Sequence, residues 1–247
     1  MTRLEVLAVE GLPEVNPGDD LAELIASHYS TLQTDDVVVV AQKIVSKAEG
    51  RVRRLRDVTA GEEAKRIAVQ LIAAPDPRIV QVVLDESVRI VRSERVLITE
   101  TKHGFVCANG GVDHSNVPGD DAVSLLPDDP DASAEKLRAG LAELFHVDVG
   151  VIISDTFGRP WRVGIGNVAL GIAGVPSVFD LRGLRDDVGK DLHATVLAVA
   201  DDLASAAGIV MGKTERTPVV IVRGFDGGGR RGTGRDLIRP AVEDLFR

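Results

Sequence analysis

Val37, Val38, Val39 and Val40 follow the polar turn Thr34-Asp35-Asp36 as an unbroken β-branched run, which predicts a buried strand. Ahead of it, Asp19 or Asp20 is placed to cap an Ala/Leu-rich helix ending near Ser27. Gly61-Glu62-Glu63 opens a second helix, because Ala64, Ile67, Ala68, Leu71 and Ile72 recur at helical spacing and Pro75 stops it. Its apolar face is expected to pack on the sheet. Residues 95–100 and 104–108 flank Thr101-Lys102-His103, a hairpin pattern that leads the chain into Gly110-Gly111, where the backbone needs unusual angles. Residues 127–130 form a polar break, the candidate boundary between two parts of the chain. After it, Leu137, Leu141, Leu144 and Phe145 make one stripe of a helix starting near Asp131.

Residues 149–154 read as a continuous apolar strand that delivers Asp155-Thr156 at its carboxyl end. Residues 167–173 and 218–222 predict further strands, separated by an Ala-rich helix over 193–207, and 237–246 has the pattern of an amphipathic helix. This alternation suits an open, doubly wound α/β sheet, a fold that places ligands beyond strand carboxyl ends. No internal repeat, heptad or long low-complexity segment interrupts it.

Composition narrows the partners. Hydrophobic residues make up 44% of the 247 but aromatics only 3%, so the core is built from Val, Leu, Ile and Ala. The net charge of -9 and the absence of a basic face exclude duplex binding. No apolar run approaches the roughly 18 residues of a membrane span, and Met1-Thr2-Arg3-Leu4 lacks a signal core, so a cytoplasmic location is expected. Cys107 is the single cysteine and the five histidines form no HxH or HxxxH pair, which leaves oxygen donors for any metal.

Five stretches could carry chemistry. Asp113, in Gly111-Val112-Asp113-His114-Ser115-Asn116, offers a carboxylate three residues from an amide, suited to Mg²⁺ or Mn²⁺ or, more plainly, to a solvated turn. In Asp155-Thr156-Phe157-Gly158-Arg159-Pro160-Trp161-Arg162, a carboxylate and hydroxyl could hold a metal while Arg159 and Arg162 neutralise phosphate or a substrate carboxylate; a structural ion pair beside a turn is the alternative. Gln42 and Lys47 follow the Val37 strand, and Lys47 is either a phosphate ligand or an ordinary solvated lysine. Residues 207–214 satisfy a relaxed Walker A pattern, with Val210, Met211, Gly212 and Lys213 at its end, but a helix precedes them and a strand follows. A phosphate loop has the opposite order, so that fold is rejected. Residues 227–236, glycines among arginines, could cradle anions or form a surface loop.

Gly11-Leu12-Pro13-Glu14-Val15, residues 39–50, Gly104-Phe105-Val106-Cys107-Ala108-Asn109, Val112-Asp113-His114-Ser115-Asn116 and residues 152–162 together resemble, in order and over nearly the whole chain, the coenzyme F420-0:L-glutamate ligase or γ-glutamyl ligase family. More narrowly they resemble the ligase half of the actinobacterial two-domain enzymes, in which a flavin-binding, nitroreductase-like domain follows. The resemblance implies an α+β, two-part subunit in an intertwined homodimer, displacing the doubly wound expectation. It implies GTP on Leu12, Pro13, Glu14, Val15, Gln42, Lys47 and Asn116, with residues 210–213 near the nucleotide. It implies Mg²⁺ or Mn²⁺ on Asp113, Asp155 and Thr156, with K⁺ as a further cation; Lys213 is no usual metal ligand and puts a second metal's coordination in question. The implied reaction adds L-glutamate to F420-0 through an acyl phosphate. A metal-dependent phosphohydrolase and a non-catalytic nucleotide-binding module are the alternatives that the residues themselves leave open.

Overall fold

The computed structural model describes residues 3–114 and 121–244. Its elements, in chain order, begin with β1 (Glu5–Ala8), α1 (Leu21–His28), β2 (Val37–Ala41), α2 (Gln42–Ala48), β3 (Val52–Arg54), α3 (Glu62–Ala68), α4 (Pro77–Asp85), β4 (Ser87–Arg92), β5 (Ile98–Thr101), β6 (Val106–Ala108) and β7 (Ala122–Ser124). They continue with α5 (Pro130–Phe145), β8 (Gly150–Gly158), β9 (Ile165–Ala173), β10 (Phe179–Asp180), β11 (Val196–Leu197), α6 (Val199–Met211) and β12 (Val219–Arg223).

The main sheet has five strands in the order β1-β12-β2-β8-β9. Within it β2 and β8 run parallel and the other neighbours antiparallel. This mixed sheet agrees with α+β and replaces the doubly wound arrangement suggested by the alternating pattern. The unbroken valines of β2 have a direct explanation. Val38 and Val40 pack with Ile25, Leu137 and Leu141 of α1 and α5 on one face, and Val37 and Val39 pack with Leu203, Ala204 and Ala207 of α6 on the other. A strand buried on both faces needs apolar residues at every position.

Residues 51–114 and 121–126 form a second, smaller assembly. Its core joins Ala64 and Ile67 of α3, Val80 and Val83 of α4, Leu97 and Val123. The apolar face of α3 therefore packs on α4 and the small sheets rather than on the main sheet. Helix α3 also stops at Ala68, short of Pro75, and Ile72 is exposed. Backbone bonds to Arg95 from both sides, Arg95 N to Gln70 O at 3.1 Å and Ile72 N to Arg95 O at 3.1 Å, compete with continuation of the helix. Helix α4 was not anticipated, although Asp76 caps it and Pro77 fills its first position. The predicted hairpin is present as β5 and β6, and Gly110 and Gly111 take left-handed angles (φ 56° and 71°) as expected.

Three further boundaries shift. Helix α6 starts at Val199 rather than near His193, because Val196 and Leu197 pair with Asp180 and Phe179 as β11. Strand β8 continues past Ser154 to Gly158. The helix expected over 237–246 is instead a pair of 3-10 turns, Gly234–Leu237 and Ala241–Glu243, among the described residues; Pro240 between them cannot donate to a helical ladder. No helix among the described residues is long and apolar enough to cross a membrane.

Candidate functional site

The site begins where two parallel strands part. The pairing of β2 with β8 ends at Ala41 opposite Ser154. Beyond it the first chain turns into α2, whereas β8 runs on against β9 alone. Asp155 and Thr156 thus lie inside β8, just past the end of its parallel neighbour, rather than in a loop after the strand. Over this step opens a cavity of about 610 Å³, lined by residues 12–15, by Ala41, Gln42, Lys43, Ile44 and Lys47, by Ser154, Asp155, Thr156 and Asn167, and by the turn after α6 from Met211 to Pro218 except Glu215.

Three of its lysines are engaged within the protein. Lys47, 8% exposed, meets Glu14 at 2.5 Å. Lys43 meets Asp113 at 2.7 Å, and Lys213 donates to the Thr156 hydroxyl. Burial pushes the Asp155 carboxyl up to about 6; the Thr156 backbone N–H opposes the shift, the Asp113 carboxylate adds to it, and Lys43 and Lys213 oppose it. The two carboxylates therefore share one electrostatic environment with two ammonium groups. Gln42 Nε2 and Ser154 Oγ are buried there without a hydrogen-bond partner among the described residues. The Gln42 amide is oriented by Ser46, whose hydroxyl donates to Oε1 at 2.8 Å. A polar ligand in the cavity would satisfy such groups.

Most of the residues singled out in the sequence meet here. Leu12, Pro13, Glu14, Val15, Gln42, Lys47, Asp155, Thr156, Met211, Gly212 and Lys213 all line the cavity. Asp113 joins through Lys43; its backbone is held by reciprocal bonds with Ser124, of 3.0 and 2.8 Å, after the left-handed stretch Asn109-Gly110-Gly111. Val210 lines a neighbouring hollow with Glu10, Leu12 and Arg216. Arg159 and Arg162 stand exposed on the β8–β9 turn, outside the cavity lining, where Arg159 Nη2 donates to Val163 O at 3.1 Å. Asn116 lies outside the described residues. The Walker-like stretch is the end of α6 and the turn into β12, the order that argued against a phosphate loop.

Asn167 and Arg216 were not singled out, and Lys43 and Thr214 stood only as members of longer stretches. Lys43 had a signal, since it lies between Gln42 and Lys47 beyond a buried strand. Asn167 had none, because only the register of β9 sets it opposite Thr156. Among the described residues no three His, Cys, Asp or Glu side chains are grouped to hold a metal. The oxygen donors at hand include the carboxylates of Asp113 and Asp155 and the Thr156 hydroxyl, with a third carboxylate, Glu14, held by Lys47.

A sequence model of the family described as F420-0:Gamma-glutamyl ligase matches residues 11–224. The chain is 47% identical to the coenzyme F420:L-glutamate ligase of Methanopyrus kandleri over 256 residues, covering 100% of both chains. It is 46% identical to that of Haloarcula marismortui over 249 residues (99% of this chain, 96% of the relative) and 44% identical to that of Methanocaldococcus jannaschii over 249 residues (99% and 97%). Identity at this level over nearly the whole chain, with the family model spanning the residues that line the cavity, means that the chain belongs to the F420-0:gamma-glutamyl ligase family and is a ligase.

Proposed function

We propose that this ligase joins L-glutamate to coenzyme F420-0, and then to the γ-carboxylate of each glutamate added, at the expense of GTP. The observation that carries the reading is convergence: segments around residues 12–15, 42–47, 155–156 and 211–213, far apart in the chain, line one cavity. Amide formation from a carboxylate in water requires an activated acyl group. The terminal carboxylate of F420-0 attacks the γ-phosphorus of GTP, the bond to the β–γ bridging oxygen breaks, and GDP leaves. The amine of L-glutamate then attacks the acyl carbon, inorganic phosphate departs with its oxygen, and the amine proton passes to solvent.

The chain's own residues suit this work. Lys43, Lys47 and Lys213 place ammonium groups in the cavity, where they neutralise phosphate oxygens as point charges. Gln42, held by Ser46, supplies an amide donor. Asp113, Asp155 and Thr156 are an all-oxygen set of the kind that suits Mg²⁺ or Mn²⁺, and the Asp113 carboxylate, which disfavours ionisation of Asp155, makes a divalent charge beside both favourable. Such a cation, when bound, screens phosphate oxygens along the reaction path. Arg159 and Arg162 are assigned to the anionic acceptor, from the exposed turn they occupy. The homodimer belongs to the same proposal, supported by exposed Val163 and Ile165 on that hairpin (97% and 63%).

Mass spectrometry of products from F420-0, GTP, Mn²⁺ and L-glutamate tests the reading. Increments of one glutamyl unit are expected, with phosphate released only when acceptor and glutamate are both present. Phosphate release from GTP alone with an unchanged acceptor would indicate a hydrolase instead.

A further inference from the structure

Thr156 and Asn167 face each other across the β8–β9 pair, and the Thr156 hydroxyl donates to Asn167 Oδ1 at 3.1 Å. A hydroxyl has one hydrogen and two lone pairs. With the hydrogen committed to Asn167, Thr156 Oγ1 can only accept in its other directions. Lys213 Nζ takes one lone pair, and the second, which meets no donor among the described residues, belongs to a side chain that lines the cavity.

Asn167 is held in the orientation this requires. Its Nδ2 donates to Met211 Sδ at 3.7 Å, which turns the carbonyl oxygen of the amide toward Thr156. Its backbone carbonyl accepts from Ser205 Oγ at 2.8 Å. Helix α6 passes it at Gly208, where a Cβ would lie 2.8 Å from Asn167 Cγ. The absent side chain on α6 is thus what gives the amide room. A reversed amide would point Nδ2 at the hydroxyl, and the Thr156 hydrogen would then turn toward the cavity, where it opposes a cation.

We infer that Asn167 is a positioning residue for the divalent cation: it fixes the Thr156 hydroxyl as an acceptor facing the cavity. The inference rests on the reading of Thr156 as a cation ligand proposed above. Neighbours that orient a ligand group in this way affect metal affinity nearly as strongly as the ligands themselves.

The test is Mn²⁺ binding to the full chain without substrates, followed by electron paramagnetic resonance of the free ion, alongside thermal unfolding. Thr156→Val and Asn167→Leu are each expected to weaken Mn²⁺ by about 10- to 100-fold, whereas Asn167→Asp, which keeps an acceptor toward the hydroxyl, binds at least as tightly as wild type. Wild-type affinity in Asn167→Leu, with Thr156→Val weakened, overturns the inference. So does an Asp variant as weak as the Leu variant, since loss of packing alone would weaken both alike. Unchanged affinity in Thr156→Val removes the reading of Thr156 as a ligand, and this inference with it.

Discussion

Lys43 on α2 and Asp113, paired with β7, form an ion pair of 2.7 Å that joins the main sheet assembly to the smaller one at the edge of the cavity. The lysine side chain is 21% exposed and the aspartate 38%. A pair this accessible contributes little to stability, about 0–1 kcal/mol. Its consequence is electrostatic: it brings an ammonium group and a carboxylate to the environment that Asp155 senses.

Lys43→Met is therefore expected to separate function from folding. Melting temperature should move by only a few degrees, while kcat/KM for glutamate addition falls by about tenfold or more, a change of about 1.4 kcal/mol in the barrier. Asp113→Asn and Asp155→Asn should each abolish Mn²⁺-dependent GTP turnover. Steady-state kinetics beside differential scanning calorimetry checks both, and an unchanged kcat/KM in Lys43→Met would remove the lysine from the reaction.

Asp36 and Arg223 carry the opposite kind of pair. Asp36 is 1% exposed and accepts from Arg223 Nε at 2.8 Å, from Nη2 at 2.7 Å and from the Gln33 backbone at 2.8 Å. The bond to Asp36 raises the Arg223 pKa above its already high value, so the guanidinium stays charged at any pH the fold survives. Arg223→Met leaves a buried carboxylate without its cation and should cost about 3–5 kcal/mol. Chemical denaturation measures it, and adding Asp36→Leu should recover much of the loss.

How much of this was legible depended on whether local pattern or long-range register decided each feature. The β2 valines announce burial, and residues 149–154 announce β8, because each is an apolar run that fits few other places. Helix α2 was unseen since Ala41 offers no side-chain cap and seven residues give little periodicity. Helix α4 carried its signal in Asp76-Pro77, but the isolated apolar face after it is short. The pattern at 237–246 is helical in spacing, and Pro240 overrides it. In the site, Lys47 reads as a solvated cation until α2 turns it onto Glu14, and Asn167 is invisible until β9 is registered against β8. Chemistry on a single segment could be read from the sequence; chemistry made by pairing segments could not.

Cys107 gives a pH-dependent outcome. Burial, with a smaller contribution from Asp155, pushes its thiol from 9.0 up to about 12. An unfolded thiol ionises near 9 while the native one keeps its proton, so the unfolded state releases protons and stability falls as pH rises between those values. The slope approaches about 1.4 kcal/mol per pH unit. Cys107→Ala lacks this component, so the stability difference between the two proteins should shift by that amount per unit from pH 9 to 11. Alkylation of the native thiol should stay slow at pH 8 and become fast in denaturant.

Gly208→Ala sets two effects against each other. Alanine in a helix interior is favoured over glycine by about 1 kcal/mol. Its Cβ would lie 2.8 Å from Asn167 Cγ, too close for the amide to stay, and displacing it sacrifices a hydrogen bond to Thr156 worth about 1 kcal/mol. The two nearly cancel in stability, so the melting temperature should change little. Nothing offsets the second effect at the cation. Once Asn167 leaves the Thr156 hydroxyl, Mn²⁺ affinity should fall toward that of Asn167→Leu, although residue 208 does not line the cavity. Titrating Mn²⁺ into Gly208→Ala decides the matter: an affinity equal to wild type would show that α6 tolerates the methyl group without moving Asn167, and that the spacing at Gly208 is only a matter of helix packing.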